Sequence, residues 1–274
     1  TITARNRPKM SPKSRNKKPA QTIGILGGGQ LGRMSAMAAA RLGIKTHIFC
    51  PETDSPASHV AAKTVVAAYD DRKALEEFAK SVDVISYEFE NIPVETVRFL
   101  KKFKPVYPDE KLLEIAQHRW KEKQFLNDIG IPTANWAKAK SAADIEKTLE
   151  EWGTTSCIIK TTRFGYDGKG QAKVSPKNDA QTAWASLKTD EAIIESIVPF
   201  AHEISVIVAR DQFGKTESYI PVLNEHKNHI LSKTTAPAPL DDKLLAKATS
   251  MARKLAKHVN LVGVLGLELF VTKD

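Results

Sequence analysis

The sequence predicts a two-part α/β protein in which a parallel-sheet unit is followed by an α+β unit. From residue 22 to about residue 107, short apolar segments alternate with helical segments, which is typical of a parallel sheet. From about Trp136 onward the pattern changes to that of an α+β fold. Hydrophobic residues make up 42% of the 274 residues, enough for the core of one large domain or two ordinary ones. We place a tail at residues 1–20, a first domain at 21–117 and a second at 118–274.

The positive charge of the chain is concentrated in the tail. Residues 1–20 hold seven of the 41 basic residues and no acid, which leaves 34 basic against 32 acidic residues, or +2 instead of +9. Pro8, Pro12 and Pro19 disfavour the amphipathic helix of a mitochondrial presequence, and the tail lacks the apolar core of a signal peptide. We expect a disordered basic tail and no nucleic-acid partner. A protein that binds nucleic acid through this tail remains an alternative.

Two further observations narrow the class of protein. No apolar run reaches the roughly 18–20 residues of a membrane span, so we expect no membrane partner. Cys50 and Cys157 lie in apolar, strand-like segments, which disfavours a disulfide framework or a zinc site. A reducing, cytoplasmic location fits this cysteine content.

The first unit is predicted to begin with the order β-α-β-α-β. Strands are expected at residues 22–26, 45–50, 63–67, 83–87 and 105–107. A helix should follow Gly32 to about Leu42, and Asp70 should cap the next one, which ends near Lys80. Pro93 should open a helix to residue 102, and a helix over 119–129 should end at Gly130.

The second unit is predicted to mix strands and helices. Ser141 and Asp144 resemble a capping box that opens a helix ending near Trp152. Strands are expected at 157–160, 172–174, 192–196, 203–209 and 262–271, and helices at 179–187 and 241–258. Glu268 lies among apolar residues of the last strand, where a carboxylate should be costly unless it binds a cation or is paired. An outward-facing position on an edge strand is the alternative.

The most informative segment lies between residues 160 and 171. A buried strand is predicted to end at Lys160, and Gly165, Gly168 and Gly170 follow within a few residues. Glycines at this density let backbone N–H groups converge on an anion, and a lysine adds a charge suited to phosphate. The segment therefore predicts a phosphate-binding loop. A glycine-rich β-hairpin with solvated charges is the alternative.

A second glycine-rich segment, at residues 27–32, satisfies the pattern G-x-G-x-x-G of dinucleotide-binding proteins. In such proteins the next strand ends in an acid that binds the ribose. Here Glu52 and Asp54 lie beyond Pro51, which weakens the pattern. An NAD-binding oxidoreductase therefore remains an alternative, and an anion at this helix N-terminus is expected whatever the ligand.

Together these residues resemble the ATP-grasp enzymes, and among them the N5-carboxyaminoimidazole ribonucleotide synthetases. The resemblance runs from Thr22 to the end of the chain. Its specific pieces are residues 27–34, 87–91, 130–133, 165–171, Asn224 with His226, and 263–270. The first and fourth pieces are specific in combination. The first is shared in looser form with formate-dependent phosphoribosylglycinamide formyltransferase, which is kept as an alternative.

The resemblance implies a site for ATP and Mg²⁺ and a set of residues for each role. It implies catalytic roles for Tyr166, Asp167 and Lys169, which would reach toward the imidazole substrate. It implies substrate contacts by Gln30 and Glu88, and a metal ligand at Glu268. The residues that would bind ATP are Arg119, Lys160, Gly165, Tyr166, Asp167, Gly168, Lys169, Gly170, Gln171, Glu195, Ser196, Ile197, Val198, Glu203 and His226.

The resemblance also implies the reaction. ATP would phosphorylate bicarbonate to carboxyphosphate, which carboxylates 5-aminoimidazole ribonucleotide in purine biosynthesis, in a cytoplasmic homodimer. Two positions depart from the family pattern, Leu223 where an acid is common and His229 where a glycine is common. The chain ends at Asp274, before the family's second metal carboxylate and phosphate-binding arginine, so we expect the C-terminal part to be missing.

Overall fold

The computed structural model describes residues 21–163, 170–228 and 230–273. These residues form two compact units. The first comprises the chain up to Glu88 together with Lys102–Pro105, and the second comprises Phe89–Lys101 and the chain from Val106 onward. Each unit is described separately below. The predicted division into 21–117 and 118–274 remains a prediction.

The first unit is built on a four-stranded parallel sheet, as predicted. Strands β1 (Thr22–Leu26), β2 (Lys45–Cys50), β3 (Lys63–Val66) and β4 (Val84–Tyr87) lie in the order β3-β2-β1-β4. Helix α1 (Gln30–Arg41) follows β1, and α2 (Arg72–Lys80) follows β3. The central strands β1 and β2 are buried at residues 24–26 and 48–50, which are mostly apolar, and Phe49 on β2 meets Phe78 on α2 edge to face.

Two details predicted for this unit are wrong. Residues 105–107 form no strand, although the Ile85 N–H donates a hydrogen bond to the Pro105 carbonyl at 2.9 Å. The residue that caps α2 is Asp71, not Asp70, because the helix begins one residue later than expected. The Asp71 carboxylate accepts from the Ala74 N–H at 3.0 Å, the third amide of the helix.

Three short helices open the second unit: α3 (Val94–Leu100), α4 (Glu110–Ala116) and α5 (Arg119–Asp128). Pro93 precedes α3, as predicted. Gly130 ends the α5 region with φ +69°, a conformation that favours glycine, which confirms the predicted stop. Helix α4 was not predicted from the sequence.

An antiparallel sheet follows in the order β5-β8-β6-β7. Its elements are β5 (Trp136–Ala139), α6 (Ala142–Glu151), β6 (Cys157–Thr161), β7 (Gln171–Val174), α7 (Ala180–Leu187) and β8 (Ala192–Ser196). Helices α6 and α7 share a buried core with it that includes Ile145, Ile159 and Ile194. The capping box is confirmed, because Ser141 Oγ accepts from the Asp144 N–H at 3.2 Å.

The last sheet is also antiparallel and is centred on a long strand, β9 (Phe200–Arg210). Strand β13 (Gly263–Thr272) pairs along the length of β9, and β10 (Thr216–Ser218) and β11 (Val222–Lys227) also pair with it. Strand β12 (Ile230–Thr235) extends the sheet beyond β11. Helix α8 (Asp242–His258) shares a core with β9 and β13, and the residues of β9 that alternate with this core are more exposed. None of the helices in the described ranges is long and apolar enough to cross a bilayer.

Candidate active site

The most buried ionised group of the second unit is at the end of β8. Glu195 is 8% exposed, and each of its carboxylate oxygens contacts a different lysine. Lys160 Nζ on β6 donates to Oε2 at 2.8 Å, and Lys123 Nζ on α5 lies 3.3 Å from Oε1. We call Lys123, Lys160 and Glu195 the charge cluster.

Burial alone would raise the pKa of Glu195, because a carboxylate in an apolar setting loses its hydration. The charges of Lys160 and Lys123 outweigh burial and hold the pKa of Glu195 below its ordinary value. The carboxylate is therefore ionised at neutral pH. An ammonium has three N–H groups, so a lysine of the cluster can also donate to an anion such as a nucleotide phosphate.

Arg119 is anchored to the end of β6. Its N–H donates to the Thr162 carbonyl at 3.0 Å, and its guanidinium donates to the Thr161 carbonyl at 2.7 Å. The start of α5 is thereby tied to the point where the glycine-rich loop begins. This places Arg119 at the same loop as Lys160, as the predicted phosphate-binding role requires.

The strands that flank the glycine-rich loop form an antiparallel hairpin. Lys160 pairs with Gln171, and the Thr161 N–H donates to the Gly170 carbonyl at 2.8 Å. Gly170 has φ +66°, which explains the need for glycine there. The hairpin alternative thus describes the flanks correctly. The predicted residues Gly165, Tyr166, Asp167, Gly168 and Lys169 lie outside the described residues, so their roles stay predictions.

The segment between β8 and β9 was predicted to line the adenine. The Ser196 N–H donates to the Asn135 carbonyl at 2.9 Å, and the Phe200 N–H donates to the Val198 carbonyl at 2.9 Å. Ile197 is 45% exposed. Phe200 stacks on Phe270 with ring centroids 4.4 Å apart, an aromatic pair that sequence reasoning missed.

A polar set lies on the exposed face of the β9 sheet. Glu203 Oε2 is 2.7 Å from His226 Nδ1, which brings two predicted residues together. Next to them the Asn224 amide donates to Ser205 Oγ at 2.9 Å. Glu268 on β13 pairs with Ser205 and is exposed on the same face. The outward-facing alternative for Glu268 is therefore correct, and the same position leaves it open to a metal.

The described residues contain no group of three or more His, Cys, Asp or Glu side chains arranged to hold a metal ion. Magnesium in nucleotide sites needs few protein ligands, because one or two carboxylates suffice when phosphate oxygens and water complete the shell. Glu268 is compatible with that kind of site. Glu268 alone would not hold the magnesium ion without phosphate oxygens and water.

In the first unit, the glycine-rich turn before α1 is built around Glu88. Its carboxylate accepts hydrogen bonds from the N–H groups of Gly29, at 2.5 Å, and Gly32. A Cβ at Gly27 would lie 2.5 Å from the Glu88 side chain, and one at Gly28 would lie 2.4 Å from Ser55 Oγ. These glycines therefore make room for the protein's own side chains. Two N–H groups that a dinucleotide pyrophosphate would use donate to Glu88, which removes the main support for the NAD alternative.

The structure shows where the predicted substrate residues lie. Gln30 is exposed at the first position of α1, and Glu88 is held at the same helix terminus. These two residues therefore lie together.

Lys123 was missed, although its position four residues after Arg119 puts both on one face of α5, a signal that could have identified it.

Comparison with known proteins matches two successive regions of the chain to two families. Residues 20–117 match the ribonucleotide synthetase preATP-grasp domain family, and residues 124–274 match the ATP-grasp domain family. An N5-carboxyaminoimidazole ribonucleotide synthase of Brucella melitensis is 46% identical over 259 residues, which cover 94% of this chain and 71% of that protein. A bifunctional purine synthesis protein of Dictyostelium discoideum is also 46% identical, over 93% of this chain and 26% of that much longer protein.

Solved structures that resemble this chain come from the same family of synthetases. The N5-carboxyaminoimidazole synthetase of Staphylococcus aureus in complex with ADP superimposes with a TM-score of 0.87 at 33% identity, covering 93% of this chain and 67% of that one. The enzyme of Aspergillus clavatus, in complex with ADP and 5-aminoimidazole ribonucleotide, gives a TM-score of 0.83 at 27% identity, with coverage of 93% and 67%. The chain thus spans about two thirds of the single-function relatives and about a quarter of the bifunctional one.

Proposed function

We propose that this protein carboxylates 5-aminoimidazole ribonucleotide with bicarbonate at the expense of ATP. The chain belongs to the N5-carboxyaminoimidazole ribonucleotide synthase family of ATP-grasp ligases. The observation that carries this proposal is the charge cluster at the base of the glycine-rich hairpin. The cluster contains Lys160, for which the family resemblance predicts a contact with the phosphates of ATP. The reaction would serve purine biosynthesis.

Each part of the second unit has a task in this proposal. Lys160 and Arg119 would bind the phosphates of ATP, with Gly170 and Gln171 in the loop above them. Residues 195–198 would line the adenine, and Glu203 would accept the ribose hydroxyls. Glu203 already accepts from an imidazole, since His226 Nδ1 lies 2.7 Å away, so it can exchange one donor for another. His226 would then stay beside the nucleotide.

Magnesium would neutralise the phosphoryl charge as it transfers from ATP. Glu268 is the described residue that would hold it, on the exposed face that also carries Glu203. Bicarbonate would take the γ-phosphoryl group to give carboxyphosphate. The loop would exclude water, because carboxyphosphate hydrolyses readily.

The acceptor amine requires a base and a fixed position. We assign the base to Asp167, with Tyr166 and Lys169 beside the substrate, on the strength of the family resemblance alone. Gln30 would contact the substrate from the first unit. Glu88 would keep the turn before α1 in shape, because it accepts from Gly29 and Gly32. We further propose a cytoplasmic homodimer, which light scattering on the purified protein would test.

The test of the proposed function is ATP turnover that depends on both 5-aminoimidazole ribonucleotide and bicarbonate, measured on the full-length protein. Asp167→Asn should lower carboxylation about 10²–10⁴-fold, the usual cost of losing a general base, and should lower ADP affinity far less. Asp190→Asn, which changes an exposed acid next to β8, is the matched control and should have no effect.

Two results would contradict the proposal. Turnover that requires formate and another ribonucleotide instead would assign the formyltransferase reaction. Near-normal carboxylation by Asp167→Asn would remove that residue from the base role.

A further inference from the structure

Lys160 is proposed to bind a phosphate of ATP, yet in the structure it is already paired with Glu195. This inference rests on the proposed function, since it concerns how Lys160 becomes available to ATP. In the described structure Lys160 Nζ donates to Glu195 at 2.8 Å. The Lys160 ammonium has three N–H groups, but while it is paired with Glu195 the carboxylate competes with a phosphate for its charge. A phosphate therefore gains the full charge of Lys160 only when the lysine turns away from Glu195.

Turning away has a cost that depends on what remains next to the carboxylate. The Glu195 side chain is only 11% exposed, so water replaces a lost ion pair poorly. A buried carboxylate without a cation is strongly disfavoured. If Lys160 were the sole partner, its move to a phosphate would leave Glu195 in that state.

Lys123 removes this obstacle. Its ammonium lies 3.3 Å from the other oxygen of Glu195, and its side chain is 18% exposed, so its charge is partly shielded from solvent and aimed at the carboxylate. It comes from a different element, α5, so it need not move with the Lys160 side chain. When Lys160 leaves, Glu195 keeps one cation.

We propose that Lys123 is a positioning residue that neutralises Glu195 and thereby frees Lys160 to bind a nucleotide phosphate. The chemical class of ligand is an adenine nucleotide with at least two phosphates. Lys123 acts through Glu195 and Lys160 and does not itself contact the reacting atoms. Without it, Lys160 stays paired with Glu195 and phosphate binding weakens.

The experiment compares the affinities of ADP and adenosine, by calorimetry, across matched variants of the full-length protein. Lys123→Met keeps most of the apolar stem and loses the charge, and we expect it to weaken ADP binding about 10- to 100-fold. Adenosine has no phosphate for Lys160 to bind, so its affinity should stay the same. Lys123→Arg should retain ADP binding within a few-fold. Lys121→Met, on the same helix but paired with Glu114, is the control and should behave as wild type.

A second-site variant separates this role from a general structural one. Glu195→Gln removes the charge that holds Lys160, so the double variant Lys123→Met/Glu195→Gln should recover most of the ADP affinity lost in Lys123→Met. A double variant as weak as Lys123→Met would overturn the proposal, and so would unchanged ADP affinity in Lys123→Met. If Lys123→Met does not fold, Lys123→Gln takes its place in the same comparison.

The outcomes also separate this inference from the proposed function. A wild-type protein that binds no ADP would refute the nucleotide site as a whole. A wild-type protein that binds ADP, with Lys123 variants that bind it equally well, would refute only the positioning role.

Discussion

At the scale of single residues, the two lysines beside Glu195 explain how a carboxylate can be buried in the second unit. The carboxylate is buried, yet it is stable there because two ammonium groups approach its two oxygens at 2.8 and 3.3 Å. Burial of an unpaired carboxylate would oppose folding, whereas the paired one supports it. The same pairing holds the lysines near the hairpin, where a phosphate would need them.

This arrangement predicts a specific pH dependence of stability. The pKa of Glu195 is lower in the folded protein than in the unfolded chain, so its pairing stabilises the fold above the unfolded value of about 4.3. That contribution is lost as the pH falls through the still lower folded pKa. We therefore expect Glu195→Gln to lower the free energy of unfolding by roughly 1–3 kcal/mol at pH 7 and by much less near pH 3.

Urea unfolding of wild type and variant at several pH values measures this difference. The control is Glu225→Gln, which removes an exposed acid paired with Lys233 at 2.9 Å and should cost less than about 1 kcal/mol. A Glu195→Gln effect of the same size at pH 7 and at pH 3 would show that the carboxylate charge does not stabilise the fold.

At the scale of helices and strands, the turn before α1 shows how a local pattern can have two meanings. The glycine spacing fits a pyrophosphate-binding turn, but the space it creates is filled by Ser55 and Glu88. Gly29 and Glu88 are 59 residues apart, so no local pattern could reveal their contact. The glycines are required by the packing at the carboxyl end of the inner strand β1.

Gly28→Ala tests this packing. An added Cβ would lie 2.4 Å from Ser55 Oγ and 2.7 Å from Cys50 Sγ, and both neighbours are buried. Overpacking of this kind costs about 1–3 kcal/mol, which should lower the urea midpoint of the first unit. Ser55→Gly in the same chain should restore part of the loss. Gly266→Ala, where a Cβ meets nothing within 4 Å, is the matched control, and an equal loss in both variants would contradict the packing argument.

The elements that could be predicted from the sequence are those with a buried, continuous apolar pattern. Strands β1, β2 and β8 begin and end where expected because each contains a run of buried, mostly apolar residues, at 24–26, 48–50 and 192–194. Strands β11 and β12 were missed because they are polar and mostly exposed, so neither alternation nor an apolar run marks them.

The same limit applies to the candidate site. Lys160 and Glu195 were each predicted, but they are 35 residues apart, and their contact depends on the pairing of β6 with β8. Lys123 belongs to a third element, and its sequence neighbours are all polar. Residue types and spacing identify the participants of a charged site, whereas the sheet register decides which of them meet.

At the scale of the whole molecule, the two units divide the candidate chemistry. The parallel-sheet unit holds Gln30 and Glu88 at one helix terminus, and the second unit holds the charge cluster and the exposed face of the β9 sheet. Each unit has a core of its own. A nucleotide bound in the second unit should therefore leave a local signature, which hydrogen exchange can locate.

We expect Mg-ADP to slow amide exchange in β6, β8 and β9 and to leave β1 and β2 nearly unchanged. At a ligand concentration of 100 Kd, binding stabilises the native state by about 2.7 kcal/mol, so amides that exchange by opening the nucleotide site should slow about 100-fold. NAD at the same concentration should slow none of them. Lys160→Ala should weaken the ADP effect without altering exchange in the free protein, because its neighbour Glu195 keeps Lys123 as a partner. Protection by NAD confined to residues 27–32 would instead support the oxidoreductase alternative, and protection by neither ligand would refute a nucleotide site at the charge cluster.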